Sequence, residues 1–377
     1  MTDAYHCRSC RATDGEVVLD LGRQPASDYF PPAGDPGPDP AYPLQMWLCA
    51  ACGLAQLLVD PTVAEEPRAT EPAALVEQAA DAVGRVAAAG WLPAGRRAAE
   101  YGSPHGGSWL DLLARRGLTV AGDGAEADVV LDCFGLMHSP DQAAALAERV
   151  TRVAPGGVLL LQYHSLGTIV RLGQWNSLRH GHYAYYSTAA LGRMLASAGF
   201  VAREAWRFDL YGGTILLAAT RAEDAGGGAG PDASVTELEA EEAALGVEDP
   251  ARVRTLQDSA ASRADELHRW LADQRAAGAR VFGYGAASRA VALLCRAGVD
   301  RRLLPAVADA SPAKQGRRMP ATDIPVVAPG ELVAARPDAV ALFLPDLLPE
   351  LRATLPEVEA AGARWVDVEA LGATPAA

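Results

Sequence analysis

The sequence predicts an α/β protein with a small β module at its N-terminus and two larger α/β domains after it. Two Cys-x-x-Cys pairs stand near the N-terminus among short strand-like runs. Strand-like and helix-like segments alternate from about residue 98, and the alternation starts again near residue 280 after a Gly-rich stretch. Such alternation is typical of a mostly parallel sheet covered by helices, so we expect two Rossmann-like domains.

The N-terminal module is expected at residues 1–65. Strand-like runs surround Val17–Leu21 and Leu44–Leu58. Four cysteines form the two pairs: Cys7, Cys10, Cys49 and Cys52. Four thiolates make a closed tetrahedral shell without a position for water, which predicts a structural Zn²⁺ ion. The other two of the six cysteines lie on apolar segments, and we expect them in the core.

The second domain is expected at residues 66–222, and its elements follow from apolar periodicity. The predicted elements are a helix over Ala73–Ala89, a strand over Ala127–Phe134, a helix over Ala143–Val153, a strand over Val158–Tyr163 and a helix over Leu191–Ala198. Polar side chains at strand ends are candidate ligand contacts in such sheets, because binding sites lie at the carboxyl ends of the strands. His138 and His164 hold such positions.

A linker and a long helix are expected over residues 223–278, followed by the third domain over residues 279–377. Glu223–Asp232 is Gly-rich, and Thr236–Ala277 is helical in composition. The predicted elements of the third domain are a strand over Arg280–Tyr284, a helix over Ser288–Ala297 and strands over Ala306–Asp309 and Ala339–Leu344.

Composition narrows the classes of function. The chain has 377 residues and a net charge of -14, and such a field repels nucleic acid phosphates. No apolar run approaches the roughly 20 residues of a membrane span, and no signal peptide is visible at the start. We therefore expect a cytoplasmic enzyme that acts on a small molecule, without nucleic acid or membrane partners. The sequence does not indicate the oligomeric state.

A short link interrupts the pattern of the second domain. The strand candidate Leu118–Gly122 is followed by only four residues before Ala127. A parallel crossover that includes a helix needs at least about 10 to 12 residues. The sheet is therefore expected either to lose a strand with its covering helices or to pair these two strands through a hairpin.

Motifs in all three parts resemble those of the nucleotide-sugar C-methyltransferases of deoxysugar antibiotic pathways. In the third domain the matching segments are Gly283-Tyr-Gly-Ala-Ala-Ser-Arg289, Asp309-Ala-Ser-Pro-Ala-Lys-Gln-Gly316 and Ile324-Pro-Val. In the second domain they are Glu100-Tyr-Gly-Ser-Pro-His-Gly-Gly107, Leu178-Arg-His-Gly-His-Tyr-Ala-Tyr-Tyr-Ser187 and Tyr211-Gly-Gly213. The resemblance implies a methyltransferase-type second domain, which the short link truncates. It also implies that a nucleotide-linked keto sugar is the substrate.

The resemblance implies that S-adenosylmethionine is the methyl donor. It assigns cofactor contacts to Glu100, Gly102, Ser103 and Gly106, with Asp123 as the acid for the ribose. Because the short link removes most of the usual adenosine pocket, we expect the donor to bind weakly or not at all. Whether methyl transfer is retained stays open.

The resemblance places the active site in the loop after Leu178. It makes His182 the base that removes a proton beside a carbonyl, with His180, Arg179, Tyr183 and Tyr211 as neighbours. Histidine suits this role because it titrates near neutral pH. The loop departs from the family pattern, which has a tyrosine at position 179 and an acid at 181, and in the separate Tyr211-Gly-Gly213 turn a tyrosine replaces the family histidine.

The third domain offers a candidate anion site. A strand that ends in Gly283 and Gly285 before a helix exposes backbone N–H groups at the helix N-terminus. Arg289 and Lys314 are the basic residues assigned to substrate binding there. A tight strand-to-helix turn is the alternative reading. The helix lacks a third glycine in dinucleotide spacing, which argues against nicotinamide binding.

Three hypotheses about function remain. The first is a C-methyltransferase with a reduced cofactor pocket. The second is an isomerase, lyase or cyclase that keeps the proton chemistry and has lost the methyl donor. The third is a binding protein without catalysis that retains the fold.

Overall fold

The computed structural model describes residues 5–62, 71–102, 107–225 and 230–371. Three sheets follow one another along the chain, of four, six and five strands, and helices cover the second and third. This is the expected succession of a Cys-rich β module and two α/β domains. Over the described residues, no helix is long and apolar enough to cross a membrane.

The first sheet belongs to the N-terminal module, except for its last strand. Its order is β1 (Gly15–Pro25), β2 (Ala41–Cys49), β3 (Ala55–Leu57) and β8 (Ala184–Tyr185), all antiparallel. The run predicted over Leu44–Leu58 is two strands, because the second Cys-x-x-Cys pair forms the turn between them. β8 comes from the second domain, and alternation in a two-residue strand gives no sequence signal for it.

The second sheet has the order β5-β4-β6-β7-β10-β9. Its strands are β4 (Arg97–Tyr101), β5 (Thr119–Val120), β6 (Ala127–Cys133), β7 (Val153–His164), β9 (Phe200–Phe208) and β10 (Thr214–Arg221). The helices of this domain are α1 (Ala73–Ala88), α2 (Leu110–Ala114), α3 (Gln142–Thr151), α4 (Leu166–Leu172) and α5 (Thr188–Ser197). β4 to β7 are parallel, whereas β10 runs antiparallel to both of its neighbours.

Of the two arrangements expected for the short link, a lost strand or a hairpin, the structure has the lost strand. β5 and β6 both pair in parallel with β4, on its two sides, so the hairpin alternative is wrong. A link without a helix suffices because β5 has two residues, so the chain retraces only about 7 Å before β6 begins. The sheet consequently ends at a short, exposed edge strand, with no further strand beyond it in the described residues.

The third sheet is entirely parallel, in the order β13-β12-β11-β14-β15. Its strands are β11 (Val281–Tyr284), β12 (Val307–Ala308), β13 (Val326–Val327), β14 (Ala339–Leu342) and β15 (Arg364–Asp367). Its helices are α9 (Ser288–Arg296), α10 (Pro329–Ala335), α11 (Leu348–Thr354) and α12 (Pro356–Ala360). The predicted helical stretch before this domain divides into α6 (Ala233–Leu245), α7 (Pro250–Val253) and α8 (Thr255–Ala276).

A shared core joins the first and third parts. Buried side chains of β1, α8 and α9 belong to one apolar cluster, represented by Leu19, Leu256 and Val291. Arg318 pairs with Asp39 through two hydrogen bonds of 2.6 Å, both side chains being almost fully buried. The N-terminal module therefore packs on the C-terminal domain as well as on the second domain.

Candidate active site and zinc centre

The four cysteines converge on one point of the N-terminal module. Their Sγ atoms all lie within 4.8 Å of one another, with Cys7 and Cys52 at 3.5 Å and Cys10 and Cys49 at 3.6 Å. Zn–S bonds of about 2.3 Å imply tetrahedral S–S edges of about 3.8 Å, so the cluster fits a zinc ion. The hydrogen bond between Cys7 and Cys52 lowers the pKa of the Cys7 thiol to about 5 and raises the pKa of the Cys52 thiol, so it favours the thiolate at Cys7 only.

A cleft opens where the second sheet reverses its strand order, at the carboxyl ends of β4 and β6. Its lining includes Glu100, Trp109, Gln162 and Tyr211. Glu100 accepts hydrogen bonds from the Trp109 N–H (2.8 Å) and the Ser108 hydroxyl (2.6 Å). Burial raises the pKa of Glu100. Switch points of this kind are where α/β sheets bind ligands.

The other assigned cofactor residues fare differently. Gly102 follows β4 directly, whereas Ser103 and Gly106 lie outside the described residues. Asp123 sits in an exposed turn whose Gly122 and Ala125 carbonyls accept from Arg152, next to the start of β7. This turn is at the amino ends of the strands, and Asp123 is not among the described residues that line the cleft. The assignment of Asp123 to the ribose stays a prediction.

His182 lies in a cluster of polar side chains between the domains. Its Nε2 atom accepts from Arg179 Nε at 2.7 Å, which requires a neutral ring with the proton on Nδ1. His138 meets His182 edge-on, with 4.6 Å between ring centroids. Burial, and then the charge of Arg179, lower the pKa of His138 to about 4, so His138 is neutral at pH 7.

Arg179 ties this cluster to the other two parts of the chain. Its guanidinium donates to the Ser288 hydroxyl at the start of α9, and that hydroxyl donates to Asp28 at 2.7 Å. Asp28 Oδ1 is also 4.0 Å from Arg179. Sequence reasoning missed Asp28, because nothing in the residues around it marks a site. It passed over Ser288, although Ser288 stands within the quoted glycine motif.

Burial, and then the charge of Arg179, lower the pKa of a second arginine, Arg289. Arg289 contacts His164 Nδ1 at 3.4 Å, while His164 Nε2 donates to Gln174 Oε1 at 3.1 Å. Burial, and then the Arg289 charge, lower the pKa of His164. The guanidinium carbon of Arg289 lies 5.8 Å from the Tyr211 ring centroid, and Glu369 is its acidic neighbour at 3.9 Å.

Tyr211 connects the cleft with the arginine cluster. Its ring lines the cleft on one side and faces Arg289 on the other. Its backbone adopts a left-handed conformation with φ of 56°, which is uncommon for an aromatic residue. The Asp346 carboxylate accepts its N–H at 2.9 Å and so helps to hold that conformation. The cleft that contains Glu100 and the predicted substrate contact Arg289 therefore both adjoin Tyr211.

Two residues assigned to the active site instead contact the N-terminal module. His180 is buried against the Pro43 carbonyl at 3.1 Å and the Tyr42 ring. The Arg8 guanidinium lies 4.8 Å above the Tyr183 ring. These contacts anchor the loop on either side of His182, and they do not bring His180 or Tyr183 into contact with Arg179.

The glycine motif of the third domain is a structural turn. A Cβ on Gly283 would lie 2.9 Å from both Phe343 and Val307, and Gly285 has φ of 93°. Lys314 is buried and donates to the Ala286 carbonyl at 2.7 Å. Lys314 therefore stabilises this turn, which supports the alternative of a tight strand-to-helix turn, and the assigned anion contact of Lys314 stays a prediction.

Comparison with known proteins agrees with this architecture. Three family profiles match consecutive segments: "Putative zinc binding domain" over residues 7–63, methyltransferase domain over residues 68–205, and C-methyltransferase C-terminal domain over residues 209–368. The chain is 24% identical to the C-methyltransferase NovU of Streptomyces niveus over 386 residues, which cover 92% of this chain and 90% of that protein.

Solved structures resemble part of the chain. The magnesium protoporphyrin IX methyltransferase of Synechocystis PCC 6803 with bound SAH is 14% identical, with 39% of this chain and 84% of that chain covered and a TM-score of 0.30. The N-methyltransferase NodS of Bradyrhizobium japonicum WM9 is 13% identical, with 40% and 89% covered and a TM-score of 0.30. Along nearly its whole length the chain is therefore similar to C-methyltransferases, and its three parts match a zinc-binding domain, a methyltransferase domain and a C-methyltransferase C-terminal domain.

Proposed function

We propose that this chain acts on a nucleotide-linked keto sugar and removes a proton from the carbon next to the carbonyl, with His182 as the base. Two observations carry the proposal: Arg179 donates to His182, and Arg289 lies over the ring of Tyr211, which lines the cleft. A neutral imidazole next to fixed cations is a suitable arrangement for enolate chemistry.

The proton balance assigns a role to each side chain. The C–H bond breaks, its proton goes to His182 Nε2, and its electron pair forms an enolate whose negative charge rests on the former carbonyl oxygen. Arg179 now donates to that same Nε2 atom. A substrate oxygen that took over this donor would free the lone pair of His182 and place a cation beside the enolate.

S-adenosylmethionine, when bound, would supply the methyl group that the enolate carbon attacks. The residues present fit only part of this cofactor. Glu100 and the aromatic side chains of the cleft would hold part of it, but in the described part of the chain the sheet has no strand beyond β5, and Asp123 lies at the amino ends of the strands. This partial fit supports the second candidate, a methyl-donor-independent isomerase, lyase or cyclase with the same base.

The experiment that tests the proposal uses a nucleoside-diphosphate-linked keto sugar in D₂O, with and without S-adenosylmethionine. A methylated product supports the methyltransferase. Deuterium at the carbon next to the carbonyl, with no methylated product, supports the second candidate. If neither a methylated nor a deuterated product forms, carbon-acid chemistry on this class of substrate is refuted, and a binding protein is favoured.

A further inference from the structure

The loop that carries His182 is held by a carboxylate from the zinc-binding module. Asp60 Oδ2 accepts a hydrogen bond from the Gly181 N–H at 2.6 Å. Gly181 lies between the two histidines of the loop and has φ of 81°, a conformation that other residues rarely adopt. A glycine at this point gives the loop conformational freedom, so an external contact is needed to fix its peptide.

The Asp60 side chain is itself fixed. Its Oδ1 atom accepts from the Thr62 N–H at 3.0 Å and from the Thr62 hydroxyl at 2.6 Å. This Asx turn leaves the second oxygen directed at the loop. Asp60 thus connects the end of the zinc-binding module with the peptide next to His182 through hydrogen bonds.

The N-terminal sheet continues the same support. β8 is its fourth strand and starts two residues after His182, and its Tyr185 pairs with Ala55 of β3. The Leu57 N–H donates to the Tyr183 carbonyl at 3.2 Å. The chain of contacts therefore runs from the second Cys-x-x-Cys pair through β3 to both sides of the histidine.

We propose that Asp60 is a positioning residue of the active site, which fixes the Gly181 peptide and so keeps His182 in contact with Arg179 and His138. Its role in catalysis rests on the proposed function of His182, whereas its role in positioning does not. The zinc-binding module then does more than stabilise the chain, because its last acidic side chain in the described residues sets the geometry of the base.

The test compares Asp60→Ala with Asp60→Asn, whose one side-chain oxygen can still accept from the Gly181 N–H, while its amide group takes the place of the oxygen that accepts from Thr62. Asp20→Ala is the matched control, because Asp20 is an exposed acid of the same N-terminal module whose Oδ1 also accepts in a turn, from the Gly22 N–H at 2.7 Å. Zinc content and melting temperature are measured on every variant. If Asp60→Ala does not fold, Asp60→Ser replaces it, since a serine hydroxyl still reaches Thr62 but not Gly181.

The first readout needs no substrate. Histidine ring signals in NMR spectra are assigned with His182→Ala, and Asp60→Ala is expected to shift the His182 signal and its titration while Asp20→Ala leaves both unchanged. The second readout is deuterium exchange into the keto sugar. Asp60→Ala is expected to lower kcat by about 10-fold or more with little change in KM, and Asp60→Asn by less than about 3-fold.

An unchanged His182 signal in folded, zinc-loaded Asp60→Ala would overturn the proposal, as would an equal shift in Asp20→Ala. If the wild-type protein exchanges no deuterium, the proposed function fails, but the NMR comparison still decides whether Asp60 positions the loop.

Discussion

Glu242 offers a quantitative test of how the linker helix α6 supports the active-site loop. Its carboxylate is buried and accepts from the Thr188 N–H at 2.7 Å, at the start of the helix that follows the loop. It also accepts from the Ser165 hydroxyl at 3.3 Å, at the start of α4. Burial outweighs these contacts and raises the pKa of Glu242 from 4.5 to about 7.

The perturbation is Glu242→Gln, and its effect follows from proton linkage. A carboxyl whose pKa is raised by folding holds its proton more tightly in the folded state than in the unfolded state. Its contribution to the free energy of unfolding is therefore complete below pH 4.5 and is lost as the pH rises through 7. Between pH 6 and pH 8 the loss is about 1.4 kcal/mol. Glutamine imitates the protonated form and removes this part of the pH dependence.

The assay is the free energy of unfolding from urea denaturation at pH 6, 7 and 8. We expect the wild-type protein to lose about 1.4 kcal/mol more than Glu242→Gln over this range. Glu237→Gln is the matched control, because Glu237 is an exposed carboxylate on the same helix, and we expect it to follow the wild type. Equal pH slopes for the wild type and Glu242→Gln would refute the reasoning.

Two further predictions concern the bound groups. Metal analysis should find about one zinc ion per chain, and Cys49→Ser should lower both zinc content and melting temperature, because folding and binding are coupled; zinc-free protein with unchanged melting would contradict this. Leaving one adenine face of about 100 Å² in water loses about 2.5 kcal/mol of binding free energy, which raises the Kd roughly 100-fold above that of a complete pocket. Calorimetry should therefore give a Kd for S-adenosylmethionine above about 100 μM. Micromolar binding of the cofactor or of S-adenosylhomocysteine would restore the ordinary methyltransferase.

The elements that the sequence predicted best are those with long apolar periods. The helices expected at Ala73 and Ser288 and the strand at Ala127 begin at those residues. The zinc cluster was equally readable, since two Cys-x-x-Cys pairs carry their own spacing rule. β8 escaped because two residues have no measurable alternation and their pairing is with a distant part of the chain.

The site was readable only where a motif marked it. His182, Arg179 and Arg289 stand in quoted motifs, and the structure brings them towards one another. Asp28 and Asp60 contribute single carboxylates from loops, and only tertiary structure shows what they face. Lys314 also stands in one of these motifs, but only the structure shows that it donates to the Ala286 carbonyl of the glycine turn.

Deuterium exchange in His182→Ala tests the central claim most directly. The wild-type protein, incubated in D₂O with a nucleoside-diphosphate-linked keto sugar, is expected to introduce deuterium at the carbon next to the carbonyl. His182→Ala should lower this rate by about 100-fold or more, while His180→Ala, whose ring contacts Pro43 instead of the cluster, should lower it less. Equal exchange rates for the wild type and His182→Ala would remove His182 from the mechanism.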